Sequence, residues 1–149
     1  MVARLLAAIA ALLCAIGPAR AQDAAWADVL AKARGQTVHW NAWAGDEKTN
    51  AFIAWVGDEV AKRHGVKVVH VKLKDTAEAV TRVVAEKAAG RDSGGSVDLV
   101  WINGANFLAL RQQKLLFGPY AERLPNWRYV DTAGKRSNLV DLTIQHEAS

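Results

Sequence analysis

The chain has 149 residues, of which 51% are hydrophobic, with 19 basic and 15 acidic side chains. This length is enough for one α/β core that buries about two thirds of the surface of the unfolded chain. The formal net charge of +4 does not indicate a nucleic-acid-binding protein. Lysine and arginine alternate with acidic residues along the predicted helices and form no basic stripe.

The first 21 residues have the features of a secretory signal peptide. Arg4 supplies an early positive charge, an apolar stretch runs from Leu5 to Ile16, and small residues stand at Ala19 and Ala21. Twelve apolar residues are too few for a spanning helix, which needs about 20. We therefore expect cleavage after Ala21, a periplasmic location and a mature chain of residues 22–149. Cleavage also removes the only cysteine and lowers the net charge to +2, because two arginines and no acid are lost.

Strands and helices are predicted to alternate through the next hundred residues. In chain order the pattern predicts a strand Thr37–Trp43, a helix from Gly45 to His64, a strand Val66–Leu73, a helix headed by the capping-box pair Asp75 and Glu78, a strand Val97–Ile102, and a helix capped by Asn103. This alternation predicts βαβ units, a mostly parallel sheet and right-handed crossovers, and therefore an α/β fold. After a looser stretch, Leu139–Ile144 predicts one last strand.

Catalytic and metal-binding motifs are not evident. The glycine-rich loop Gly90–Ser96 precedes a strand, whereas a nucleophile elbow or a phosphate-binding loop follows one. Four histidines stand singly, without the short ligand spacing of a zinc site. Asp98 lies at the amino-terminal end of its strand, so we interpret it as structural. We expect no metal and no cofactor.

Polar amides and aromatic residues collect where the predicted strands end. The candidate ligand-binding residues are Asn41, Trp43 and Gly45 after the first strand, Asp75 and Thr76 after the second, and Asn103, Gly104 and Asn106 after the third. In parallel α/β sheets ligands bind beyond the carboxyl ends of the strands. Each following helix also directs its amino-terminal N–H groups toward that edge. We therefore expect a small-molecule site there.

Each of these residues also has a purely structural interpretation. In this interpretation Asn103 and Asp75 do no more than cap helices, each stabilising the fold by about 1 kcal/mol. Gly45 and Gly104 then do no more than allow the chain to turn. Trp40 and Trp101 are expected to pack in the core within strands buried on both faces, whereas Trp43 at a strand end is placed to stack on a planar or cationic ligand.

Several stretches carry a resemblance to a known family. They are Thr37–Trp43, Asp75–Val80, Ser96–Gly104, Phe117–Pro119 and Leu124–Trp127. They are similar to stretches in the solute-binding proteins of bacterial ABC importers, in a branch labelled as putative, sometimes thiamine-type, binding proteins. The resemblance implies a periplasmic-binding-protein-like lobe of type II. It also implies a protein, monomeric when complete, whose two lobes close on a small-molecule solute and deliver it to the importer's permease subunits.

The chain departs from that branch at two strand ends and in length. Ala44 stands where the branch tends to have glycine, and Ala105 where it tends to have an acid. The resemblance implies that residues 22–149 are the truncated amino-terminal part of a two-lobed domain. A small secreted α/β enzyme, hydrolase-like and complete at this length, is the alternative, with Asp75 as its evident titratable group. An extracellular adhesion or scaffold module is a third.

Overall fold

A computed structural model describes the backbone of residues 17–141 and 144–145 and the side chains of residues 25–141. The elements in chain order are α1 Gly17–Ala33, β1 Thr37–Trp43, α2 Glu47–His64, β2 Lys67–Leu73, α3 Ala77–Ala88, β3 Leu99–Val100, α4 Gly104–Gln112, 3₁₀ turns Ala121–Arg123, Pro125–Tyr129 and Arg136–Asn138, β4 Val140–Asp141 and β5 Ile144–Gln145. The predicted α/β class is confirmed.

A three-stranded parallel sheet with the order β2-β1-β3 organises the chain. β1 pairs with β2 along its whole length, from Thr37 opposite Lys67 to Trp43 opposite Leu73. On its other edge β1 pairs with β3, with Trp40 opposite Leu99. The connection after β1 therefore leads to β2 on one side of β1, and the connection after β2 leads back to β3 on the other side of β1. Such a reversal is a topological switch point, the usual place for a ligand in an open α/β sheet.

Helix α2 begins at Glu47, two residues after the predicted Gly45, and ends at the predicted His64, because both of its ends are capped. Asp46 accepts a hydrogen bond from the backbone N–H of Thr49 at 2.8 Å. At the other end Gly65 adopts the left-handed conformation, with φ 66°, and its N–H donates to the carbonyl of Ala61. A glycine is favoured there because it has no Cβ to strain.

The helices cover both faces of the sheet. The Cα of Gly57 in α2 approaches the side chain of Val68 in β2. On the opposite face Arg82 of α3 donates a hydrogen bond to Asn41 Oδ1 at 3.2 Å. The small core between these layers contains the buried apolar residues Ala42, Ile53, Val66, Leu73, Ala79, Phe107 and Leu110.

The third strand is shorter than predicted, two residues instead of Val97–Ile102. Asp98 explains where the pairing begins: its carboxylate accepts the backbone N–H of His39 at 2.8 Å and contacts the imidazole Nδ1 at 2.9 Å. A side chain thus binds the N–H that β1 directs toward β3, and β3 begins at Leu99, two residues later than predicted. At the other end the chain turns into α4 directly after Ile102.

Two further expectations are corrected. The last strand, predicted as Leu139–Ile144, is instead a pair of short antiparallel strands, with Val140 opposite Gln145. Residues 142 and 143 lie outside the described residues. Trp101, expected in the core, is 50% exposed because it lies beyond the paired part of β3.

The proposed signal peptide lies largely outside the described residues, which begin at residue 17. Ala21, the expected cleavage position, falls within α1. None of the helices in the described ranges is long and apolar enough to cross a bilayer.

Replacing Gly57 with alanine should stabilise the chain. A Cβ at this position would lie 3.5 Å from the Cβ of Val68, an ordinary van der Waals contact, and alanine is the better helix former by about 1 kcal/mol. We expect Gly57→Ala to raise the free energy of unfolding by about 0.5–1 kcal/mol in urea denaturation. Gly65→Ala, at positive φ, is the matched control and should lower it by about 1 kcal/mol. Destabilisation by Gly57→Ala would contradict this packing.

Candidate functional site

The loops that follow β1 and β3 lie side by side at the carboxyl edge of the sheet. We call the two segments, residues 43–45 and 102–104, the strand-end site. Backbone hydrogen bonds hold both loops: Ala44 N–H donates to the carbonyl of Leu73, and Trp101 N–H donates to that of Asn41. The walls of four cavities in the described region do not include Trp43, Gly45 or Gly104, whereas Ile102 lines one of them together with Phe117 and Tyr120. Trp43 is half exposed, so its side of the strand-end site is an open surface.

Trp43 is 49% exposed, and its ring lies over Gly45. A Cβ built on Gly45 would overlap the six-membered ring of Trp43. Gly45 is therefore required for more than a turn, since only a hydrogen at this position leaves room for the ring. The pair presents an aromatic surface at the end of β1.

Trp101 provides a second exposed aromatic surface. It stacks on Trp40, with ring centroids 6.0 Å apart and an interplanar angle of 16°. Trp40 and Trp43 point to opposite faces of β1, because they are an odd number of residues apart. Indole rings thus flank the carboxyl edge of the sheet on both faces.

The helix amino termini at this edge are already occupied by carboxylates. Asp46 accepts from the backbone N–H and the hydroxyl of Thr49, Asp75 accepts from the N–H of Ala77 at 2.8 Å, and Asp141 accepts from the N–H of Gly104. The expectation that these helices offer their N–H groups to a ligand is corrected at these positions. A second negative charge placed there would be repelled.

Asn41 lies inside the protein. It is fully buried, its Nδ2 donates to the carbonyls of His39 at 3.3 Å and Ser96 at 3.4 Å, and its Oδ1 accepts from Arg82. All of its amide atoms are therefore committed to crosslinking β1 with its neighbours. Ligand contact by Asn41 stays a prediction.

Asp75 and Thr76, after β2, belong to the start of α3. Asp75 is exposed and caps the helix, while Glu78 Oε1 accepts the backbone N–H of Asp75 at 3.1 Å. The predicted capping box is thus present in part, because Glu78 reaches back to Asp75 but the Asp75 carboxylate binds Ala77 rather than the backbone N–H of Glu78. Thr76 makes no side-chain capping bond.

Asn103 and Asn106 lie at the end of β3 and in the first turn of α4. Asn103 occupies the cap position of α4 in an extended conformation but makes no capping hydrogen bond with its side chain. It is exposed, and Asn106 is half-buried. Capping alone therefore does not account for Asn103, whose amide faces solvent next to Gly104.

Sequence reasoning missed Asn50 and Asp141. Asn50 is 9% exposed, and its Nδ2 donates to the carbonyl of Ala44 at 3.0 Å, which fixes the loop beneath Trp43. Its Oδ1 has no hydrogen-bond partner among the described residues. A polar residue at a core-facing position of a predicted helix is the signal that could have found Asn50. Asp141 caps a helix from 37 residues away, and no local pattern indicates such a contact.

The described residues contain no group of three or more histidine, cysteine, aspartate or glutamate side chains that could hold a metal ion. His39 and Asp98 form a pair, but at the amino-terminal edge of the sheet, opposite the strand-end site. We therefore assign no metal-binding residues.

Comparison with known proteins gives one informative relative. Protein YnjB of Escherichia coli (strain K12) is 49% identical over 107 residues, 72% of this chain and 28% of that protein. The chain thus spans less than a third of the relative's length. No protein-family model matches, and no solved structure matches. The name of this uncharacterised relative states no activity, and nothing found points to ABC importer solute-binding proteins. The family prediction is therefore wrong.

The cap at Asp46 predicts a measurable pH dependence. The hydroxyl of Thr49, followed by its backbone N–H, lowers the pKa of the Asp46 carboxyl below the usual 3.8. A carboxyl with a lowered folded-state pKa stabilises the fold above its unfolded pKa, and this contribution is lost as pH falls through the folded value. Asp46→Asn keeps a favourable cap but cannot titrate. We therefore expect acid unfolding between about pH 5 and 2 to be shallower in this variant.

Thermal unfolding at a series of pH values tests this. Glu47→Gln removes the same charge from the next residue, which makes no such cap, and should retain the acid dependence of the unmodified chain. Equal flattening in both variants would show that general charge, rather than the cap, causes the effect.

Proposed function

We propose that this chain is an exported protein that binds a small uncharged or cationic solute at the strand-end site. The observation that supports this most is the half-exposed ring of Trp43 at the end of β1, with the uncommitted amide of Asn103 at the end of the neighbouring strand β3. Trp101 presents a second half-exposed ring on the opposite face of the sheet. Both strand ends lie where the strand order reverses, which is where open α/β sheets bind ligands. The leader-like residues 1–21 support export.

Electrostatics supports the choice of solute. Carboxylates already cap α2, α3 and α4 at this edge, so an anion would meet negative charge where it would usually find N–H donors. An indole face attracts a cation or a planar ring by about 0.5–2 kcal/mol. Asn103 can both donate and accept hydrogen bonds, which suits the hydroxyl or amino groups of a polar solute.

The geometry also supports weak binding. Trp43 remains half exposed, so a solute stacked on its ring would be covered mainly on one side. High-affinity sites enclose most of the ligand surface. We therefore expect a dissociation constant weaker than micromolar. The proposal is limited to binding, and a type II periplasmic-binding-protein-like lobe stays a prediction.

Saturation-transfer NMR on the chain tests the proposal, with a set of hexoses and aromatic amines as probes. We expect transfer to uncharged or cationic members and its loss in Trp43→Ala, because the stacking surface is removed. Trp55→Ala is the matched control: Trp55 is 58% exposed on α2, outside the site, so binding should persist. Gly45→Ala, whose Cβ displaces the ring, should weaken binding while leaving Trp43 in the sequence.

Two outcomes would contradict the proposal. One is that none of the probes binds. The other is binding that Trp43→Ala leaves unchanged, which would place the solute elsewhere on the chain.

A further inference from the structure

A concavity separate from the strand-end site lies at the carboxyl-terminal end of α4. It has a volume of about 170 Å³, and its walls include Phe107, Arg111, Lys114, Phe117 and Pro119. Phe107 is 2% exposed and forms an inner wall, whereas Phe117 is 83% exposed and borders the opening. We call this concavity the α4-end cavity. It shares none of its lining residues with the strand-end site.

The charge of the α4-end cavity is one-sided. Among the described residues that line it, Arg111 and Lys114 are basic and none is acidic. The last carbonyls of α4, which would otherwise attract these cations, already accept backbone N–H groups. Leu115 N–H donates to the carbonyl of Leu110 and Lys114 N–H to that of Arg111, both at 3.0 Å. The backbone N–H groups of residues 114 and 115 therefore already satisfy these two carbonyls.

Nearby carboxylates do not neutralise Lys114. Three carboxylates share the adjoining cavity with Lys114, and each has other partners. Glu86 accepts hydrogen bonds from the backbone and hydroxyl of Ser96, Asp92 pairs with Lys87, and Asp98 binds the backbone N–H and the ring of His39. The ion pairs of the described region do not include Lys114. A positive charge thus borders a partly apolar cavity.

Lys114 also departs from the backbone rule for its position. Its φ is 56°, in the left-handed region, at the position after a helix end where glycine is strongly favoured. The two closing hydrogen bonds are those of the usual glycine-terminated motif. A lysine in a conformation that glycine adopts without strain points to a functional role for the lysine side chain.

We propose that the α4-end cavity binds a small organic carboxylate. The carboxylate group lies at Lys114, and the apolar body lies between Phe107 and Phe117. A charge-assisted hydrogen bond from an ammonium group to a carboxylate is about twice as strong as a neutral one. Aromatic walls and a volume of about 170 Å³ suit an acid with a single ring or a short chain.

Benzoate is the probe for this site, titrated into the chain and followed by amide chemical shifts. We expect millimolar binding, with shifts at residues 107–118, and weaker binding of benzamide, which has the same shape without the charge. Lys114→Gln should weaken benzoate binding about tenfold. Lys62→Gln, which removes an exposed lysine of α2, is the matched control and should leave it unchanged.

Lys114→Gly separates binding from folding. This variant removes the backbone strain, so its melting temperature should rise while benzoate binding weakens about tenfold, as in Lys114→Gln. The proposal is overturned if benzoate does not bind, if benzamide binds equally well, or if Lys114→Gln binds benzoate as the unmodified chain does. It is also overturned if Lys62→Gln weakens binding by the same factor.

Discussion

The two-sided pairing of β1 is the constraint on which the rest of the structure depends. Residues at even positions of β1 direct their backbone groups to β2, as the bond from Ala44 N–H to Leu73 shows, and those at odd positions direct theirs to β3. Asn41 lies in the middle of this strand, fully buried, and its amide joins β1 to Ser96 and to α3 through Arg82. An unpaired buried amide costs about 1–3 kcal/mol, so these bonds strongly favour one arrangement of the neighbours.

Function follows from this arrangement through the loops at the strand ends. Because β1 is paired on both sides, the segments after β1 and β3 emerge next to each other, and their tryptophans stay exposed at the switch point. The same loops have their helix starts closed by Asp46 and Asp141. The site therefore differs in charge from the usual anion-binding edge of an α/β sheet, and the α4-end cavity supplies the complementary, basic surface elsewhere.

Local patterns predicted most of the fold, whereas long-range contacts decided the rest. β1 has the predicted bounds, and α2 differs from its prediction only at its start, because apolar spacing, Asp46 and Gly65 are signals within one segment. The length of β3 was missed since it depends on Asp98 binding a backbone group 59 residues away. In the site, Trp43 and Gly45 were predicted at a strand end, but their mutual packing was not. Asn41 was proposed as a ligand contact, and its burial depends on Arg82, which no spacing rule connects to it.

Mapping backbone amide shifts with a solute that binds the strand-end site tests the central claim most directly. The account predicts that the largest shifts fall at residues 42–45 and 102–104, on both sides of the switch point. Smaller shifts should extend to Asn50, whose amide holds the loop of Ala44. The largest shifts at α1 or along the outer edge of β2, with those two segments unchanged, would contradict it.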